Sequence, residues 1–524
     1  MTKSLKLCVL IVGLLGSFAL LAQRAPDERR KLRETPEAEA PDAPRKNDPE
    51  GKQGLSYTTE KLSSTKHSVK INGEEIDYTA TAGNFILTDE DGTKKASYFF
   101  ISYTKDGVDD LSKRPLTFSF NGGPGSCSVW LHLGVFGPRR VKMGDEGMAP
   151  NPPYELIDND CSLLDKSDFV FMDPVSTGFS RPMPGEKDNQ FHGVQEDVQW
   201  NAEFIRLYIG RNNRWLSPLF LAGESYGTYR ASMLAHSLQS GGIYLNGVIL
   251  VSAFLNPDAI RGDLRYAVSL PSYTATAWHH KKLTPELQKD LRATLDEVER
   301  FALREYLPAL ALGAKLPEDE HSEICAKLAR YSGLSEEYIE SVNLRISTFG
   351  TELLKDQNLQ LGGYDSRYTG PARTSAADSF AAEPSIAPVM GPYAACIRSY
   401  LQTELKYESD LPYEILGNVS PWNWTDARPG PGGGGGVPDA SARLAGALLQ
   451  NPSLKVLMAS GYYDLVTKYF VSDYVFSHMD IPDALRANLR TEYYEAGHMM
   501  YLRQSALKKM KADLDRFYAW AVPS

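Results

Sequence analysis

Leu221-Ala-Gly-Glu-Ser-Tyr-Gly-Thr-Tyr229, "LAGESYGTY", sets Ser225 between two glycines where one residue pattern gives way to another. Before it, Leu219–Ala222 "LFLA" is an apolar run suited to a buried strand. After it, residues 226–238, "YGTYRASMLAHSL", suit a helix. A sharp strand-to-helix turn needs small residues on both sides of its central position, and Gly223 and Gly227 supply them. On its own G-x-S-x-G is a weak pattern that fits a plain glycine turn. In a strand-turn-helix setting it predicts a nucleophile elbow.

Working outward, further short apolar runs occur at Pro115–Phe120 "PLTFSF", Phe169–Met172 "FVFM", Val248–Val251 "VILV" and Val456–Ala459 "VLMA". Runs so uniformly apolar are buried on both faces, as in a parallel sheet. Helical patterns such as Glu196–Ile209 separate several of them, which is the alternation of an α/β fold. Ahead of these, Lys66–Tyr103 alternates with period two around Asn72-Gly73, a two-residue hairpin signal, and predicts an antiparallel meander. From Asn256 to about Gly446 the alternation stops. Thr284-Pro285 reads there as a helix start, with Leu287, Leu291, Leu295 and Val298 as its apolar face. Ser335 reads as a helix cap stapled by Leu334 and Ile339. The expected organisation is a core over 59–255 and 447–524, with a helical insertion over 256–446.

The N-terminus has another character. Lys3 and Lys6 precede an apolar run, Leu7–Ala22, with small residues near its end, so 1–22 reads as an export signal. An uncleaved membrane tether is the alternative. Residues 23–58, rich in Pro, Glu, Arg and Ala, read as a disordered linker. Cys127, Cys161, Cys325 and Cys396 remain after the signal; they allow three disulfide pairings, and their spacing suggests no metal site. The net charge of −10 over 524 residues argues against nucleic acid as the main partner.

A serine hydroxyl needs a histidine to take its proton and an acid to orient that histidine. With an elbow of this kind, the acid and then the histidine follow in chain order. Six of the nine histidines lie after Ser225, and His498 follows a strand-like "TEYYEAG" into a small-residue loop, which makes it the expected base. Asp464 closes "LKVLMASGYYD" and is the expected acid, with Asp258 as competitor. Backbone donors for an oxyanion are expected from Tyr226 and from Gly123, in the glycine loop after "PLTFSF".

The stretches "NGGPGS" (121–126), "FMDPVSTGFS" (171–180), "GESYG" (223–227), "GYYD" (461–464) and "EAGHM" (495–499) occur in the order and spacing of the serine carboxypeptidase family. The sequence resembles that family over nearly all of the chain from about residue 60, and "DSRYTGP" and "GHMMYL" resemble its bacterial secreted branch. The resemblance implies an α/β-hydrolase fold with a helical insertion over the site, and removal of residues from peptides with a free C-terminus, with no cofactor and no metal. It implies Ser225, Asp464 and His498 as catalytic residues, Gly123 and Tyr226 as the oxyanion hole, and Asn121 and Glu224 as binders of the substrate carboxylate. Two carboxylates cannot hydrogen-bond each other, so Glu224 must be protonated in that role. The pattern departs from the family at Val135, where a second Glu is expected, and in "YGTYR" after the elbow. An esterase or acyltransferase using the same three residues is the competing enzyme reading. Trp130 falls where the pocket for the leaving residue is shaped, or packs in the core.

Overall fold

The computed structural model describes residues 57–372, 383–425 and 436–522. The export-signal reading of 1–22 lies outside these residues, as does all but the end of the 23–58 linker.

The sheet begins with β1 (Lys61–Ile71), β2 (Glu74–Thr88) and β3 (Lys94–Lys105), an antiparallel meander. Asn72 and Gly73 turn the first hairpin with φ of 51° and 88°, the left-handed conformations that a two-residue turn demands. Six longer strands follow, β4 (Leu116–Phe120), β5 (Asp168–Met172), β6 (Leu219–Glu224), β7 (Gly247–Val251), β8 (Lys455–Gly461) and β9 (Leu489–Tyr494), and the two-residue strand Arg181–Pro182 pairs with β3 beside them. The numbered strands lie in the order β1-β2-β3-β5-β4-β6-β7-β8-β9, and every neighbour from β5 onward is parallel. This mixed sheet with crossover helices is an α/β-hydrolase architecture.

Strand side chains alternate between two cores, as a pleated strand requires. Phe169 and Phe171 face one core, Val170 and Met172 the other. One face is covered by α1 (Val194–Arg211) and α2 (Tyr226–Ser240). The helices α3 (Leu264–His279), α4 (Leu291–Phe301) and α5 (Glu318–Ser332) form a core of their own with the turns that follow them, as far as Leu361. The rest of 256–446 packs elsewhere. Helix α6 (Ala387–Thr403) covers the second face of the sheet. Helix α7 (Ala440–Gln450), which runs through position 446, packs beside α2. The chain ends with α8 (Tyr469–Ser477) and α9 (Gln504–Ala521).

Ser335 caps the short helix Glu336–Ser341 through its side chain, and Leu334 and Ile339 are both buried. The helix start at Thr284 is corrected. A single 3-10 turn covers Leu287–Lys289, and α4 begins after Asp290, whose carboxylate accepts from Ala293 N. Asp290 satisfies an amide that Thr284 is too far upstream to reach. The four apolar positions foreseen are nonetheless all buried. Cys127, Cys161, Cys325 and Cys396 are buried free thiols, so none of the three pairings is formed.

Candidate active site

Ser225 sits between β6 and α2 with φ 59° and ψ −128°, a conformation that costs a non-glycine residue about 1–3 kcal/mol. Ser225 N donates to Val251 O at 3.0 Å, which ties the turn to β7. Neither flanking glycine could carry a side chain. A Cβ on Gly223 would lie 2.1 Å from Gly227 O, and one on Gly227 would lie 2.9 Å from Phe120 O. The elbow therefore presses against itself and against the end of β4.

Two loops at the same end of the sheet bring Asp464 and His498 together. Asp464 follows β8 and His498 follows β9. His498 Nδ1 donates to Asp464 Oδ2 at 2.7 Å, which leaves Nε2 as the acceptor nitrogen. Asp464 also accepts from Thr467 Oγ1 at 2.6 Å and from the amides of Val466 and Thr467 at 2.7 and 2.9 Å. Burial alone would raise the Asp464 carboxyl, but the charge of His498 and these bonds outweigh it and hold the pKa below the usual value. For His498 burial acts downward, and the Asp464 carboxylate overcomes it and raises the pKa above 6.5. His498 Nε2 is buried with no hydrogen-bond partner among the described residues. It borders, with Ser225, a cavity of about 410 Å³. Asp258, the competing acid, is 73% exposed and paired with Arg261. Of the histidines after Ser225, His498 alone among the described residues borders the cavity.

Gly123 and Tyr226 line the cavity beside Ser225. Tyr226 opens α2, so its amide has no acceptor within the helix. Asn121 and Glu224 line the same wall, 1% and 3% exposed. Asn121 is fixed at two atoms: Oδ1 accepts from Leu131 N at 3.1 Å and its carbonyl accepts from Arg230 Nη1 at 2.6 Å, while Nδ2 makes no hydrogen bond among the described residues. Glu224 Oε2 accepts from Tyr501 Oη at 2.7 Å. Burial, helped by the Asp464 charge, lifts its pKa to about 7, against the charge of His498, the phenol's donation and the approach of the Asn121 side chain, which is too weak in geometry to count as a hydrogen bond. A neutral carboxyl and an unpartnered amide nitrogen thus stand together in the wall, donors that a ligand carboxylate would accept from. No Asp, Glu, His or Cys cluster suited to a metal occurs among the described residues.

Trp130 both packs and lines: its ring lies 4.9 Å from that of Tyr393, Nε1 donates to Ser126 Oγ, and the residue borders the cavity. Val135 is fully buried in the apolar core. Sequence reasoning passed over Arg230, Thr467 and Tyr501. Arg230 and Tyr501 fall inside the quoted stretches "YGTYR" and "GHMMYL", so their unusual place beside the elbow and the histidine was the available signal.

Comparison with known proteins gives the family. Serine carboxypeptidase-like 36 of Arabidopsis thaliana is 27% identical over 211 residues, 38% of this chain and 39% of that protein. The pheromone-processing carboxypeptidase KEX1 of Saccharomyces cerevisiae is 32% identical over 168 residues, 30% of this chain and 22% of that one. The matches therefore span well under half the length of either relative. A crystal structure of a yeast prohormone-processing carboxypeptidase superposes over 84% of this chain and 91% of its own, with a TM-score of 0.49 and 16% identity. The family model described as serine carboxypeptidase matches residues 74–364, more than half of the chain and a span that includes the elbow and the glycine loop. On that match the chain belongs to the serine carboxypeptidase family.

Proposed function

We propose that this protein is an exported serine carboxypeptidase that shortens peptides from a free C-terminus through an acyl-enzyme on Ser225. In this reading Ser225 Oγ attacks the last peptide carbonyl while its proton passes to His498 Nε2. The oxyanion accepts from the amides of Gly123 and Tyr226. The C–N bond breaks as His498 returns the proton to the leaving amine, and the terminal residue departs. Water then attacks the ester and gives a proton to His498, which hands it to Ser225 Oγ as the ester C–O bond breaks, so the shortened peptide leaves and the hydroxyl is restored. Asp464 stays ionised throughout and stabilises the imidazolium.

The observation that carries the reading is the pairing of Asn121 Nδ2, unpartnered and buried among the described residues, with the neutral carboxyl of Glu224 in the wall beside Ser225. A terminal carboxylate meets two donors there, whereas an amide or ester end offers no charge to them. Export rests on the residue pattern of 1–22. Among the described residues no helix is long and apolar enough to cross a membrane.

Matched peptides with free and amidated C-termini, incubated with the protein and read by mass spectrometry, test the proposal, with Ser225→Ala as the blank. Expected is a one-residue ladder from the free acid only. Equal cleavage of both peptides overturns the carboxypeptidase reading. Turnover of simple esters alone supports instead an esterase or acyltransferase, the reading that an apolar Val135 in place of a second carboxyl favours.

A further inference from the structure

Two cations border the cavity, and neither has an acidic group within salt-bridge distance among the described residues. Lys468 follows the Asp464 loop; its Nζ donates to Leu465 O at 2.9 Å and lies 5.9 Å from the ring centre of Tyr273. Asp464 is close in sequence, but His498, Thr467 and two backbone amides already occupy its oxygens. Burial draws the Lys468 ammonium down to about 8, against the charge of Asp464, which acts upward from beyond salt-bridge distance and leaves it charged at neutral pH. Arg265, on α3, donates to the Tyr266 phenol, and its Nε is buried without a partner among the described residues. The acids near it in sequence are engaged elsewhere: Asp263 holds Arg345 at 3.0 Å and Asp258 holds Arg261 at 2.8 Å.

Glu224 is the only Asp or Glu among the described residues that lines the cavity. Most of the remaining wall is apolar or aromatic, including Phe254, Leu255 and Val471. A cleft with charges of one sign and low-dielectric walls concentrates the field and attracts the opposite charge. It repels a substrate of like sign, which is how specificity against a competitor arises.

From this juxtaposition we propose that the cavity selects peptides with an acidic side chain, Asp or Glu, on one of the two residues that flank the cut bond, with Lys468 as its main partner and Arg265 adding to the field. The proposal rests on the carboxypeptidase reading and names the substrate class for that same site. Arg265 and Tyr273 are eight residues apart on α3, about 12 Å along the helix axis at 1.5 Å per residue, so the two cations meet different parts of an extended peptide.

The test uses one peptide frame with Glu, Gln, Leu or Lys at the last or the penultimate position, at pH 6. Turnover is measured with the full protein and binding with Ser225→Ala. At one of the two positions Glu is expected to exceed Gln by at least about tenfold in kcat/KM, the scale of a hydrogen bond to a charged group, with Lys poorest. Lys468→Met and Lys468→Gln should collapse the Glu-to-Gln ratio to near unity, and Arg265→Gln should reduce it. A Glu-to-Gln ratio at or below one at both positions, or a preference unchanged in all three variants, overturns the proposal. Failure of the carboxypeptidase reading looks different: free-acid peptides stay intact whatever their side chain, while binding to Ser225→Ala still reads the Glu-to-Gln ratio and decides the charge preference.

Discussion

Tyr501 Oη donates to Glu224 Oε2 at 2.7 Å, and the phenol ring fills the space that a side chain at residue 134 would need. A Cβ on Gly134 would lie 2.3 Å from Tyr501 Cε2. Glu224 thus has a phenol as its neighbour, while Val135 lies in the apolar core.

Burial of Glu224 sets the pH range of binding in the proposed reading, and the phenol trims it. Glu224 is neutral below about 7, so on the proposed function a substrate carboxylate should be held there and released as pH rises through that value. KM for free-acid peptides should be flat at acid pH and climb above about 7. Tyr501 stabilises the ionised carboxyl, so Tyr501→Phe should move the climb upward by about one pH unit, as expected for losing a hydrogen bond worth about 1.5 kcal/mol to a charge. The dependence of KM on pH for the two proteins checks this; a climb that stays put or moves down contradicts it.

The base responds in the opposite sense. As the proposed base His498 must be neutral to accept a proton, and its pKa is raised above 6.5, so kcat should fall as pH drops through that raised value. Asp464 does most to hold the pKa up; in Asp464→Asn only the Glu224 charge still opposes burial, so the acid limb of kcat should move to lower pH, with kcat itself reduced by about 10⁴-fold, as when an orienting acid is lost. Thr467→Val removes one donor from Asp464 and should cost roughly tenfold in kcat. Rate profiles at saturating peptide separate the two variants.

Arg230 is a positioning residue whose effect reaches the carboxylate site. Its Nε pairs with Asp197 Oδ2 at 2.7 Å, both side chains almost fully buried, while Nη1 holds the Asn121 carbonyl. Arg230→Met leaves Asp197 buried and unpaired, at a cost of about 3–5 kcal/mol. Arg230→Lys keeps the charge but cannot reach both acceptors. It should fold with a lower Tm and a raised KM for free-acid peptides, while kcat changes little. Thermal melts and a KM-against-kcat split check both variants.

Asp173 fastens the glycine loop from below. It accepts from Ser128 N and Oγ, both at 2.8 Å, and from Tyr413 Oη at 2.9 Å, and burial raises its carboxyl to about 6. Asp173→Ala strands these donors and should destabilise the protein by about 1–3 kcal/mol for each one left buried. Asp173→Asn retains one acceptor oxygen and should lose less. Denaturant titration of the two variants gives the order.

The elbow, the parallel run of strands and the order of serine, acid and histidine were legible because each is written in local pattern: apolar runs, flanking glycines and strand ends. The hairpin at Asn72-Gly73 was legible for the same reason, since those two residues accept left-handed backbone. Arg230, Tyr501 and Lys468 were not. Their roles depend on partners far away in sequence, Asn121, Glu224 and Tyr273, which only the folded sheet brings into reach. The 256–446 stretch reads as one block because its helices share one periodicity. Which face of the molecule each helix covers is decided by tertiary packing, so α6 joins the sheet while α3 to α5 keep a core of their own.

The four buried cysteines carry a practical consequence. Burial raises every one of their thiols, Cys161 and Cys396 to about 11, so hardly any thiolate exists at neutral pH to start disulfide exchange. Folding of the described residues calls for no oxidant and no isomerase. Recombinant material made in a reducing cytosol should melt at the same temperature with and without dithiothreitol.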